Sequence, residues 1–345
     1  MRLSASLRAT MACLLTGVLS SCAHHSISTS YMTVEDSYLS GNADRVFEIR
    51  YAAKVSEIPA GSKRLRLWWP VPGQTNLQEI SGLKFGGAGG VKVAREPKYG
   101  NLIAYVEVEN PPAAVEFEMT FAAKRREARV ELSRLAEEGS DPAGSFGVFR
   151  EPDRLVVVDE EVKEIAAAAT GGKSTTVAKA RGIYDAVMGR MTYDKSGTGW
   201  GRGDTKFACE AGKGNCTDFH ALFNSLCRAS GIASGFEIGL YLPYEAKKTE
   251  SWESAPGGYH CWAAFRVPGK TWVPVDISEA DRFPERTDFF FGGHTSNRVT
   301  LSTGRDLTLV PAQDGEPLNY FLDPYAEVDG KVQGKASKTW FFKDL

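Results

Sequence analysis

A cysteine, a histidine and an aspartate stand in the order and in the local settings that thiol chemistry requires. Cys216 sits in Gly-Lys-Gly-Asn-Cys-Thr-Asp-Phe-His, a glycine loop that delivers a thiol to the first turn of a helix. After it, Phe219, Leu222, Phe223 and Leu226 recur at helical spacing, and Gly231 stops the run that starts at Thr217 and reaches Ala229. A thiol there feels the positive end of the helix dipole. That lowers its pKa from about 8.5 toward roughly 3.5–7.5 and favours the reactive thiolate. His260 and Asp276 follow as a base and a base-orienting acid, and the Cys216 amide at the helix start is a natural oxyanion donor.

Two strands must carry the base and the acid. Tyr259 to Val267 and Trp272 to Ile277 flank a short loop at Pro268-Gly269-Lys270. A hairpin centred on Pro268 places His260 opposite Asp276, with Cβ atoms about 4.5–5.5 Å apart on one face. The imidazole is then oriented and its charged form stabilised. Alternation puts Trp262 on the His260 face and turns Cys261 away, and a one-residue slip would aim Asp276 away from His260. Trp262, Tyr259 and Asn215 are candidates for the substrate cleft, and Trp200 is a candidate second oxyanion donor. His220, one helical turn after Cys216, is a rival base, but no acid is spaced to orient it. Cys216, His220, His260 and Cys261 could be imagined around zinc. They lack the paired-cysteine spacing of zinc modules, so no metal and no cofactor are expected.

These strings resemble a known family. Gly-Asn-Cys-Thr-Asp-Phe-His, Arg228-Ala-Ser-Gly-Ile, Gly258-Tyr-His-Cys-Trp and Trp272-Val-Pro-Val-Asp-Ile-Ser are similar to motifs of the transglutaminase-like superfamily. Ile183-Tyr184-Asp185 and Met191-Thr-Tyr-Asp look like its lead-in. The likeness spans about residues 155–285. It implies a papain-like α+β core with Cys216 as nucleophile, His260 as base and Asp276 as orienting acid.

The first residues address location. Arg2 and Arg8 precede a short apolar run from Met11 to Leu19, too brief to span a bilayer, and no later run is long enough to do so. Leu19-Ser20-Ser21-Cys22 resembles the lipobox of bacterial lipoprotein signals. That implies loss of residues 1–21, acylation of Cys22 and attachment to a membrane by lipid alone. Ala23 in the next position resembles outer-membrane sorting, so an envelope protein facing the periplasm is expected. Six cysteines are present. With Cys13 and Cys22 spent and Cys216 kept free, Cys209–Cys261 is the expected bridge, and Cys227 is read as a buried apolar residue. A net charge of −2 with 24% charged residues supplies no basic field for nucleic acid.

The fold class expected is α+β, an N-terminal antiparallel β-sandwich followed by the papain-like core and C-terminal strands. A polar tether fills 22–43. From Val46, period-two alternation recurs in Phe47–Lys54 and Val115–Phe121, with Leu65–Val71, Val91–Ala94 and Leu102–Val108 between them, which predicts the sandwich over 44–135. Trp68 and Trp69 belong to its core. A turn-rich linker covers 136–153 and the catalytic core 154–286. Asp159 can cap a helix to Ala169, and Thr175 or Thr176 another. Residues 287–345, with strands at Val299–Leu301, Leu307–Val310 and the closing Trp340-Phe341-Phe342, should pack on the core. Gly-Thr-Gly-Trp-Gly-Arg-Gly at 197–203 follows no strand and opens no helix, so it is a loop near Cys216 and not a nucleotide cradle.

The expected function is a lipid-anchored cysteine hydrolase that cleaves amide or peptide bonds through a thioester. Amine transfer that crosslinks proteins is an alternative, as is a binding lipoprotein with an idle triad. The expected partners are a peptide or protein amide and, through the lipid, a membrane.

Overall fold

The computed structural model describes residues 32–41, 43–87, 89–136, 138–242, 251–255, 258–333 and 335–345. The signal, Cys22 and most of the tether lie outside the described residues. Six strands open the described chain: β1 (Asp44–Val55), β2 (Arg64–Val71), β3 (Gln78–Gly87), β4 (Lys92–Arg95), β5 (Leu102–Glu109) and β6 (Val115–Arg126), with period-two burial sustained in β1 and β6. In β1 the residues Phe47, Ile49, Tyr51, Ala53 and Val55 are buried; in β6 Val115, Phe117, Met119, Phe121 and Ala123 are. β1 pairs antiparallel with β6 from Asp44–Arg126 to Val55–Val115, so both sets point to one face. β6 continues to β3, while β2, β5 and β4 form the start of a second sheet. Trp69 stacks on Phe117 between them, but Trp68, on the opposite face of β2, is buried with the second unit and not in the sandwich core, a correction to the expectation that both belong there.

The chain's end completes this sandwich, which corrects the expectation that residues 287–345 pack on the core. Ala336–Asp344 pairs antiparallel with β1, and Tyr325–Val328 pairs with β2; the short Glu253–Ser254 and Lys331–Val332 strands add to these and bring each sheet to five strands. The reason is local. Without them β1 and β2 would be edge strands with open N–H and C=O groups. Trp340 and Phe342 alternate inward, and Trp340 meets Tyr51 edge-on at 4.4 Å. Leu307–Val310 forms no strand; Leu307 makes only an isolated bridge to Leu318.

Of this C-terminal part, Arg298–Thr303 joins the second unit. Its antiparallel sheet runs Trp272–Val275, Tyr259–Arg266, Ser234–Tyr241, Arg298–Thr303. α4 (Cys216–Ala229) lies against this sheet; α1 (Glu160–Thr170), α2 (Thr176–Arg190), α3 (Thr205–Ala211) and α5 (Ile277–Arg282) pack on α4, and α5 leads into α6 (Thr287–Phe290). Asp159 caps α1 by accepting from Val162 N–H, and Thr175 caps α2 by accepting from Ala178 N–H. On α2, Ala180, Ile183, Tyr184 and Val187 are buried. α4 is enclosed on every side, from Cys216 to Arg228. Its Phe223 meets Phe265 of the sheet, and truncating such a ring to Ala costs about 3–5 kcal/mol. Among the described residues no helix is long and apolar enough to cross a membrane.

Candidate active site

The start of α4 is fixed by a capping box. The Asn215 side chain accepts from Thr217 N–H at 2.9 Å, and Asp218 reaches back to the Asn215 N–H at 3.0 Å. Asp218 also accepts from Gly201 N–H at 2.7 Å and Gly203 N–H at 2.9 Å, which ties the 197–203 loop to the helix start. Burial raises the Asp218 pKa, and these three amides work against that rise. Gly214 must be glycine because a Cβ there would stand 2.6 Å from that of Asp218. Cys216 is therefore the first helical residue of a rigid corner, and only 2% of it is exposed.

The base and acid meet, but in a different register from the one counted. Ala263 lies opposite Val275 and Arg266 opposite Trp272, a shift of two residues that centres the loop on Gly269. Val267 and Thr271 close that loop through a 2.9 Å backbone bond. A slip of two preserves the face, so His260 and Asp276 still converge. The strand ends at Val275, not Ile277, because Asp276 caps α5 by accepting from Glu279 N–H at 3.2 Å. Its carboxylate stands 2.8 and 3.0 Å from His260 Nε2. Arg298, fully buried, donates to the same carboxylate at 3.0 Å and lies over the Trp262 ring.

Ionisation follows from these contacts. Burial raises the Asp276 pKa, but the charges of His260 and Arg298 outweigh it and hold the carboxyl well below the usual range. Burial also works against protonated His260, yet the Asp276 charge and hydrogen bond, with the Cys216 sulfur, raise it to about 10. Cys216 is lowered to about 5, first by a hydrogen bond from the Cys261 thiol; burial opposes this, and His260 assists through bond and charge. A thiolate beside an imidazolium can attack a carbonyl and return a proton to the leaving group.

His220 has a different fate. Its Nε2 accepts from Ile277 N–H at 3.1 Å, its Nδ1 stands 3.5 Å from Cys261 Sγ, and burial lowers its pKa to about 3. Asp276 is 3.8 Å from this ring, against 2.8 Å from His260. The neutral His220 ring makes a poor general base.

Other expectations need correction. Cys209 and Cys261 are not bridged, and all four described cysteines are free. Cys209 lies on α3, where burial first and then the charges of Glu161 and Asp159 raise it to about 11, whereas Cys261 faces His220 and Cys216. Alternation does turn Cys261 away from the His260 face, but α4 lies on that other side, so the thiol arrives beside Cys216. Trp200 donates its indole N–H to Gly197 at 3.2 Å inside its own loop, and is not free to serve an oxyanion. Trp262 is 1% exposed and donates to Glu237 at 2.6 Å, so it is core and not a cleft wall. Asn215 is also buried and donates to Tyr259 at 3.1 Å, leaving half-buried Tyr259 as the member of that trio near solvent. Among the described residues no group of three His, Cys, Asp or Glu side chains could hold a metal ion. Cys227 is buried and its pKa is pushed far up, as for an inert thiol. Sequence reasoning missed Arg298, which carries no local signature, and Asp218, which the Asn-x-x-Asp spacing could have revealed.

Residues 163–277 match the transglutaminase-like superfamily. This segment of the chain is a transglutaminase-like core. It contains Cys216, His260 and Asp276. An uncharacterized protein of Haemophilus influenzae is 27% identical over 310 residues, covering 79% of this chain and 83% of its own length. Among solved structures, one titled as a candidate cysteine protease from Cytophaga hutchinsonii superposes with a TM-score of 0.58 at 15% identity, over 88% of this chain and 99% of that one. That likeness extends the shared fold beyond the transglutaminase-like core to the sandwich. The periplasmic domain of TgpA from Pseudomonas aeruginosa gives a TM-score of 0.37 at 14% identity, over 72% of this chain and 91% of that one, too loose to argue from.

Proposed function

We propose that the protein is a lipid-anchored cysteine hydrolase of the bacterial envelope that cleaves amide or peptide bonds. Cys216 is the nucleophile, His260 the proton carrier and Asp276 its anchor. The observation that carries this is the 2.8 Å contact between His260 Nε2 and Asp276. It commits that nitrogen to the carboxylate and leaves the ring's other nitrogen for the thiol. The fold shared with a structure described as a candidate cysteine protease supports the same reading. So does the lipobox-like Leu19-Ser20-Ser21-Cys22 for the anchor, with Ala23 pointing to the outer membrane.

In the reaction the Cys216 thiolate attacks the carbonyl carbon. The oxygen that becomes negative is met by the Cys216 amide in the first helical turn, where no intrahelical acceptor exists. His260 gives its proton to the amine as the C–N bond breaks, leaving a thioester. Water then loses a proton to His260 and attacks the thioester, releasing an acid and restoring the ion pair. Iodoacetamide should label Cys216 at neutral pH in the wild type. Labelling that persists in Cys216→Ala, or that His260→Ala leaves unaffected, would overturn the assignment. Mass spectrometry of the products from a peptide amide should show the free acid even with a primary amine added; an amine adduct as main product would make the protein a transferase.

A further inference from the structure

We propose that Cys261 is the hydrogen-bond donor that holds the Cys216 sulfur as a thiolate, and that its S–H is aimed there by a fixed chain running from the Ile277 amide through His220. This rests on the reading of Cys216 as nucleophile and adds a donor to that site.

The chain has one consistent proton arrangement. A backbone N–H can only donate, and that of Ile277 lies 3.1 Å from His220 Nε2. Nε2 therefore carries a lone pair. The ring is fully buried, which keeps it neutral, so its single proton is on Nδ1, 3.5 Å from Cys261 Sγ. The Cys261 sulfur accepts there, sharing that N–H with the Cys216 carbonyl one turn back, and the Cys261 proton is left for another partner. Cys261 is itself 0% exposed, and it packs in the same buried cluster as Cys216. Burial, together with the neighbouring Cys216 sulfur, pushes the Cys261 thiol far up, so it keeps its proton while Cys216 loses one. Its bond is the foremost influence lowering Cys216, ahead of His260, and the Cys261 amide adds a further bond.

The other ionisable groups facing the two sulfurs do not titrate in the mildly acidic range where the thiolate forms. Tyr193, Tyr259 and Tyr320 are all raised above the usual tyrosine value by burial. His260 and Asp276 are held charged by each other, and Arg305 remains a cation. A shift of the acid limb on altering Cys261 thus reports the thiol pair. Cys209, Cys227 and Cys261 stay protonated over the same range, so among the described cysteines Cys216 is the one labelled.

The test is the pH dependence of alkylation by iodoacetamide, read at the Cys216 peptide by mass spectrometry. Wild type should show a midpoint near 5. Cys261→Ala should move it up by about one to two pH units, the usual worth of a hydrogen bond to a charged group. Cys261→Ser, whose hydroxyl accepts and donates as the thiol does, should recover most of the shift. His220→Leu should behave like Cys261→Ala, and His220→Gln, which can accept from Ile277 and donate to Cys261, should stay closer to wild type. The His220 pair decides the matter if Cys261→Ala does not fold. An unmoved midpoint in a variant with wild-type near-ultraviolet dichroism, or a serine that folds and does not rescue, overturns the proposal while leaving the nucleophile in place. An ordinary alkaline midpoint in the wild type would remove both.

Discussion

The two sides of the Tyr259–Arg266 strand carry two buried histidines around one carboxylate, and they are in opposite states. On the α4 side His220 is held neutral; on the other, His260 is held charged. Both rings are enclosed, and Asp276 is within 4 Å of each, at 3.8 and 2.8 Å. Burial therefore does not distinguish them, while the closer carboxylate favours charge on His260. The difference is what faces each Nε2. For His220 it is the Ile277 amide, which can only donate and so forbids a proton. For His260 it is the carboxylate, which can only accept and so retains one. Directionality of a single hydrogen bond sorts a charged, proton-carrying ring from a neutral, structural one.

The largest effect that would break this comparison comes from exchanging the histidines' importance. His260→Ala should lower amide hydrolysis on the order of a thousandfold or more, and Cys216→Ala should lower it at least as much, by kcat at saturating substrate. His220→Gln should lose less than about tenfold. Equal losses at the two histidines would erase the distinction. Next in size is Arg298→Met, which leaves Asp276 with one cationic partner in a buried site. Removing one member of such a pair costs about 3–5 kcal/mol, visible as a lower denaturant midpoint. The pH profile comes third. Thiolate forms as pH rises through about 5 and imidazolium is lost through about 10, so kcat/KM should be flat between them and fall on both sides. A peak confined to neutral pH would mean that the pair is not pre-ionised. Smallest is Asp218→Ala, which should cost about 1 kcal/mol of stability by opening the capping box and should raise backbone exchange at Gly201 and Gly203 more than at His260.

The Cys216 corner was legible because its causes are local: a glycine loop, a cap and helical spacing lie within one stretch of chain. The sandwich strands β1 and β6 were legible for the same reason, through uninterrupted alternation. The His260–Asp276 pair was legible in its face but not in its register, since parity survives a two-residue shift while the exact partner depends on how Val267 and Thr271 close the turn. What escaped was long range. Arg298 reaches Asp276 from the strand at the opposite edge of the sheet, three positions from the one Asp276 follows. Ala336–Asp344 returns to β1 across almost the whole chain. The proximity of Cys261 to Cys216 depended on knowing which side of the sheet α4 covers, and strand alternation alone cannot say that.

The central claim is that one buried histidine beside Asp276 is charged and the other is not. Histidine selectively labelled with carbon-13 in the ring allows both to be followed in one NMR titration, assigned with His220→Gln and His260→Ala. The account predicts that His260 keeps the imidazolium shift at pH 8 while His220 shows neutral Nδ1–H shifts down to at least pH 5. Two rings titrating together near pH 6.5, the ordinary histidine value, would contradict it.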